Sequence, residues 1–246
     1  MSYTRLIMRA SIRSNLRLKI ALGIVLSITF ICVAGVTILF CILLLEPEMG
    51  SVVPDRSRLE AYLGIIVYAA SFLGVGITLN SFAFQSLVRE KTRGNLQSLL
   101  ATPVRPKDIW MGKSLSILVP GTLFGSALAV LVLVIVNGVY FLPGIGFVLN
   151  PWIALSSFVG VPLVYLALGL LVHLVGLTSR AANGNVIAQL FLPVMVNVMI
   201  QLAVHDVIDA SSWLFLAINL GLAAVIGTIV IGLRSRLTAE NIILSN

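Results

Sequence analysis

Residues 20–45 read IALGIVLSITFICVAGVTILFCILLL, 26 positions without a charged side chain. Wound as a helix at about 1.5 Å per residue, such a stretch is on the order of 40 Å long. The hydrocarbon core of a bilayer is about 30 Å thick, so one helix of this kind crosses it. The run is too long to be the apolar part of a cleavable leader, and no small-residue cleavage site closes it. Five more runs follow, at about 61–84, 114–142, 152–177, 186–205 and 213–233. The third of the six exceeds what a bilayer needs. It is expected to tilt or break, with Pro120-Gly121 as the place, because proline removes a helix hydrogen bond.

The whole chain agrees with this local reading. Of its 246 residues, 59% are hydrophobic and 10% charged, and the mean hydropathy is +1.09. A water-soluble fold of this length could not hide so much apolar surface. Cys32 and Cys41 both lie in the first apolar run, which fits neither a disulfide framework nor a metal site.

Charge sets the expected orientation. Arg5, Arg9, Arg13, Arg17 and Lys19 precede the first run, and Arg89, Lys91, Arg93, Arg105, Lys107 and Lys113 separate the second from the third. Arg180, Arg234 and Arg236 bring the count on that side to fourteen of sixteen. Arg56 and Arg58 fall on the other side, among Glu46, Glu48, Asp55 and Glu60. Basic residues concentrate on the cytoplasmic side of membrane proteins, so both ends of the chain are expected in the cytoplasm of a cell-membrane protein. Trp152 and Trp213 begin the fourth and sixth runs, where interfacial aromatics belong.

The runs hold no Asp, Glu, Lys or Arg. Carriers driven by ion gradients commonly place such groups at mid-membrane, so their absence weighs against a secondary carrier. His173 is the one ionisable group well inside a run, with His205 at an edge; His173 reads as a packed histidine bonded to a neighbouring helix. Gly112-Lys113-Ser114 ends like a phosphate-binding loop, but the required earlier glycine is replaced by Lys107 and no strand precedes it. Lys113 reads instead as an interfacial cation at the start of the third run. No zinc, paired-aspartate or nucleophile motif points to an enzyme.

Residues 86–113 read SLVREKTRGNLQSLLATPVRPKDIWMGK. Val88, Thr92, Leu96, Leu99 and Leu100 recur at helical spacing, with Glu90, Arg93 and Gln97 opposite. Thr102-Pro103 ends this helix, since a residue before proline avoids the α region. Pro106 suits the first turn of a second helix. Periodicity alone allows either a surface helix resting on lipid or one that meets a partner.

This segment resembles the signature of ABC transporter type 2 permeases, which carry Glu-Lys/Arg-x-x-Gly-Thr-Leu-Glu-x-Leu-Leu-x-Thr-Pro-Val after their second span, then an acidic residue, an aliphatic one and Gly-Lys. Here the run extends from Glu90 to Val104, with Asp108-Ile109 and Gly112-Lys113 beyond it; Asn95 replaces the usual threonine and Gln97 the usual glutamate. The resemblance implies an all-α fold: one transmembrane domain over residues 1–246, with a basic interfacial helix at 1–19, six spans and a coupling helix at 90–101. It implies no cofactor in this chain, ATP and Mg being bound by a separate cytoplasmic ATPase, and a second permease copy as the other partner. Arg89, Glu90, Arg93, Gly94, Leu96, Gln97 and Leu100 would meet the ATPase. Gln189, Asn197 and Gln201, spaced along the fifth run with Pro193, form its polar stripe and are candidates for a dimer interface or substrate pathway. Other readings are a secondary carrier or channel, and a non-transporting scaffold or immunity-type protein.

The charge asymmetry yields a direct test. Cysteines placed at Ser51 and Ser98, in a chain lacking Cys32 and Cys41, are expected to react with an impermeant thiol reagent from opposite faces of a sealed membrane. Reaction of both from one face would overturn the six-span arrangement.

Overall fold

The structure is a computed structural model. It describes residues 3–16, 19–50, 55–92, 95–179, 181–204 and 209–244, with side chains there except at 15–16, 82–92, 95–97, 181–182, 185, 188, 199–200, 202–204 and 244. Every regular element among the described residues is a helix, and none is a strand. In chain order they form α1 (Tyr3–Leu16), α2 (Lys19–Phe40), α3 (Glu46–Met49), α4 (Arg56–Thr92), α5 (Asn95–Leu100), α6 (Pro106–Val136), α7 (Pro151–Leu155), α8 (Val161–Thr178), α9 (Ala181–Val204), α10 (Trp213–Leu233) and α11 (Ala239–Leu244). Three π-helical turns, Cys41–Leu45, Asn137–Phe141 and Ser156–Gly160, join α2 to α3, extend α6 and join α7 to α8.

Five stretches are long and apolar enough to cross a membrane: Lys19–Met49, Arg56–Ser81, Pro106–Phe141, Pro151–Thr178 and Trp213–Arg236. They coincide with five of the six expected runs. The remaining run, the fifth, falls on α9, of 24 residues, whose described apolar part is the ten-residue Gln189–Val198; His205, at its edge, lies outside the described residues.

The middle of the bundle is α4. Its apolar window is 89% buried, against 22% for the windows in Lys19–Met49 and Trp213–Arg236. α2, α6, α8 and α9 all pack on it. The closest approach is to α6, where small residues face each other: Gly74 and Thr78 on α4, Gly121 and Gly125 on α6, each pair four apart and therefore on one helical face. A methyl group at Gly125 would stand 2.5 Å from the backbone nitrogen of Val75, and one at Gly74 would stand 2.9 Å from Gly125 Cα. Small residues at this spacing are how helices reach van der Waals contact in lipid, where no hydrophobic effect drives them together.

α6 runs unbroken through Pro120, so of the two expectations for this long run, a tilt or a break, the break does not occur. The helix is held on both sides of the proline by its packing on α4, with Gly121 beside Thr78 and Leu79. Membrane helices tolerate proline where neighbours keep the turn in place. Pro106 occupies the first turn as its sequence implies, but the helix it starts is α6 itself, not a separate one.

Buried hydrogen bonds then tie the other helices to α4. Tyr68 Oη donates to Asn219 Oδ1 on α10, and Asn219 Nδ2 to the Phe215 carbonyl at 2.8 Å. Tyr165 Oη on α8 donates to the Phe72 carbonyl at 3.0 Å. The π-turn at Ser156–Gly160 leaves the Ser157 carbonyl open to a side chain, and Ser71 Oγ donates to it at 2.7 Å. Around these bonds Tyr68, Phe72, Phe215, Tyr165 and Phe191 make a continuous set of ring contacts from α10 through α4 to α9.

The ends of the bundle differ in charge. At one end Glu46 accepts from Tyr140 Oη, Asn150 Nδ2 donates to Glu60, and Arg56 pairs with Glu60 at 3.2 Å. The other gathers α1, α5, the start of α6 and α11, with Arg105, Lys107, Arg234 and Arg236 exposed.

The α4–α6 crossing sets a stability test. Gly125→Ala is expected to destabilise the folded chain by about 1–3 kcal/mol through overpacking against backbone. Gly227→Ala on α10, with nothing within 4 Å of its added methyl, is expected to be neutral or slightly stabilising. Thermal unfolding of both in the same detergent micelle reads the difference; equal midpoints would remove the crossing from its central role.

Candidate functional site: the basic end and the outer face of α9

The segment resembling the permease signature is built differently from the single helix expected at 90–101. Residues 90–92 are the last turn of the 37-residue α4, and helix resumes at Asn95 as the six-residue α5. Arg93 and Gly94 lie outside the described residues, as do the side chains of Arg89, Glu90, Leu96 and Gln97. At about 1.5 Å per residue α4 is on the order of 55 Å long, so it extends far past its own apolar part. After α5 the chain turns at Thr102, whose amide and hydroxyl both donate to the Leu99 carbonyl, at 3.2 and 2.6 Å.

Leu100 is the one expected coupling residue whose side chain is described. It is half-buried and packs on a cluster made of Trp110, Leu174, Leu177, Val230, Leu237 and Ile242. These residues come from α6, α8, α10, α11 and Leu237, which follows a 3₁₀ turn at Arg234–Arg236. Trp110 locks the arrangement: its indole N–H donates to the Leu170 carbonyl of α8 at 3.0 Å. The end of α5 therefore rests on the point where three long apolar helices meet.

Lys113, at the start of α6, is covered by protein and 9% exposed. The reason is its neighbour Gly112: α1 comes so close that a methyl there would stand 2.9 Å from the Thr4 carbonyl, and α1 covers this part of α6. His173 is buried, but its Nδ1 bonds the Gly169 carbonyl of its own helix at 2.8 Å, not a neighbouring helix. Its Nε2 is buried with no partner among the described residues. The adjoining cavity, lined by Gly76, Asn80, Tyr165, Phe191 and Leu192 with His173, is about 30 Å³. That is space for water, not for a cargo molecule.

α9 presents two unlike faces. Ile187, Phe191, Leu192, Met195 and Val196 pack against the bundle core. Gln189, Pro193, Asn197 and Gln201 are exposed together on the opposite side, among exposed Val186, Leu190, Val194 and Val198. The expected stripe is thus one continuous outward face, and it is not what holds α9 to its own bundle.

The sequence reading passed over three polar residues that shape the opposite end and the core: Asn137, Tyr68 and Asn219. Asn137 is wholly buried, donates to the Leu133 carbonyl at 2.9 Å and accepts from the Val148 amide at 2.7 Å. It folds residues 142–148 back onto the end of α6. Its only sequence signal was a lone amide deep in an apolar run.

Comparison with protein-family models, with curated proteins and with solved structures finds no match for this chain.

Because the α9 amides are exposed, Asn197→Leu together with Gln201→Leu is expected to leave the unfolding of the isolated chain within about 0.5 kcal/mol of the parent. Unfolding in detergent measures this. A loss of several kcal/mol would mean the amides hold α9 to its own bundle.

Proposed function

We propose that this chain is the permease subunit of an ATP-driven exporter of the ABC type 2 class, embedded in the cell membrane with six spans and both ends in the cytoplasm. The observation that carries the proposal is the seating of the signature segment. Its residue pattern resembles that of the permeases, and its end, Leu100, rests on the cluster joining α6, α8 and α10. A push on α5 from the cytoplasm would reach three spans at once.

Two further features support the reading. The apolar runs carry no carboxylate through which an ion gradient could drive transport, so the energy is supplied from outside the membrane by ATP bound on another chain. α9, as the remaining span, turns Gln189, Asn197 and Gln201 outward. An amide facing hydrocarbon without a hydrogen-bond partner is unfavourable by several kcal/mol, on the order seen for transfer to apolar solvents. A second permease copy across that face supplies partners and encloses a polar path between the two.

In this mechanism two permeases and two ATPases form the working unit. Closure of the ATPase pair on ATP moves the segment at 90–101, and Glu90 and Arg93 fix its angle in the ATPase groove. Loss of one member of such a charged contact is felt strongly, because the other is left desolvated and unpaired.

Glu90→Ala is expected to weaken co-purification with the cognate ATPase or to uncouple hydrolysis from transport in reconstituted vesicles, while the chain still inserts. Gly94→Pro is expected to act more severely. Parental binding and transport in both variants would reduce the segment to a surface helix and remove the exporter reading.

A further inference from the structure

The first helix, α1, has three unlike sides. Taking about 100° per residue, Thr4, Ile7, Met8, Ser11 and Ile12 fall on one broad side, and these are the half-buried residues of the helix. That side is docked on α6. Thr4 Oγ1 donates to Asp108 Oδ1 at 2.6 Å, and Ile7 and the Thr4 carbonyl sit against Gly112. Arg5, Arg9 and Arg13 follow around the helix within roughly 80° of one another, all exposed. Beside them lies a third strip of Leu6, Ala10 and Tyr3, also exposed, with Tyr3 at 51% and Leu6 at 56%.

A helix that only shed charge into water would have no reason to expose tyrosine and leucine in line next to its arginines. A helix that only packed on protein would have no reason for the arginines. The two exposed strips together match the headgroup layer of a membrane, where apolar side chains meet the acyl boundary and guanidinium groups meet phosphates. The position agrees. α1 touches α6 at Asp108 and Gly112, at the charged start of a stretch that is apolar from residue 114 onward. Arg105 and Lys107 are exposed at the same end and extend the basic surface.

We propose that the Arg5–Arg9–Arg13 face of α1 is a binding surface for anionic phospholipid headgroups, and that lipid bound there holds α1 against the start of α6. Guanidinium is suited to the task because its planar fork matches phosphate oxygens in pairs. The docked side makes the surface consequential. Lipid that fixes α1 also fixes Asp108 and Gly112, which begin the helix directly after α5 and its turn. Membrane charge thereby sets how freely that end of α6 moves.

The test uses the full chain without Cys32 and Cys41, carrying Leu6→Cys labelled with an environment-sensitive dye. It is reconstituted in vesicles of phosphatidylcholine alone or with one quarter phosphatidylglycerol. The expected result is a blue-shifted, lipid-quenchable dye in the anionic vesicles, reversed by high salt. Arg5→Gln, Arg9→Gln and Arg13→Gln combined should abolish the dependence on phosphatidylglycerol while leaving the phosphatidylcholine spectrum unchanged. Native mass spectrometry of the unlabelled chain should show preferential retention of phosphatidylglycerol, falling about fivefold for each arginine removed. The same dye spectrum in both vesicles, or an undiminished response in the triple variant, would overturn the proposal. Neither readout involves an ATPase, so the result is separate from that of the exporter reading.

Discussion

Gly74 and Gly125 let α4 and α6 touch backbone to backbone, and the rest of the bundle is laid on that pair. The contact matters because lipid removes the force that assembles soluble proteins. Apolar side chains gain nothing by leaving hydrocarbon for a protein interior of the same polarity, so helices are held by close packing and by polar contacts between them. Packing energy falls steeply with separation. Two long helices without side chains between them gain contact along many residues, and α4 becomes the surface on which α2, α8 and α9 collect. The bulky residues flanking the glycines, Val75 and Leu128, fill the space beside the crossing.

The hydrogen bonds between helices follow the same logic. Tyr68 to Asn219, Tyr165 to the Phe72 carbonyl, Ser71 to the Ser157 carbonyl and Trp110 to the Leu170 carbonyl each join two helices. Such bonds in membrane proteins average about 0.6 kcal/mol, so none is decisive alone. Their value is in direction, because they fix the rotation of each helix about its axis. Three of the four involve α4, and the fourth closes α6 onto α8 at the basic end. The π-turn at Ser156–Gly160 belongs to this scheme, since it frees a carbonyl that α4 can reach.

The existence of the apolar helices was legible because a span of about 20 residues is a composition signal, independent of tertiary detail. Pro106 and Trp213 also stand at helix starts, the proline because its fixed geometry suits a first turn whatever packs around it. What escaped was everything set by contact. The extension of α4 to Thr92 was hidden because the switch from apolar to charged residues resembles the end of a helix, whereas it is only the end of the apolar part. Pro120 looked like a break because the α4 packing that supports α6 is not written in its own neighbours. Asn137 and Asn219 were single amides in apolar runs, indistinguishable by sequence from residues facing a partner chain. For the candidate site, the α9 stripe was legible as a stripe, with bonding inside the bundle and an outward interface both open until its amides were seen exposed, and Leu100 was legible as apolar but not as the contact with three helices.

That last distinction bears on how polar residues in such a chain are read. Asn137 and Asn219 are buried, and each finds both a donor and an acceptor partner inside its own chain. Asn197 and Gln201 have the same chemistry on a helix of the same kind, yet they are exposed. In water the difference would mean little. In hydrocarbon an amide must find partners, and one that its own chain leaves outside has to find them in water or in another protein. Gln189, Asn197 and Gln201 share the outward side of α9 with the exposed Val186, Leu190, Val194 and Val198, so that side mixes amides with apolar residues where a lipid-facing helix is ordinarily apolar. A span facing lipid alone would carry its amides inward. α9 instead sets three amides among its exposed apolar residues, and those outward amides are the physical ground for proposing a second protein surface or a water-filled path beside it.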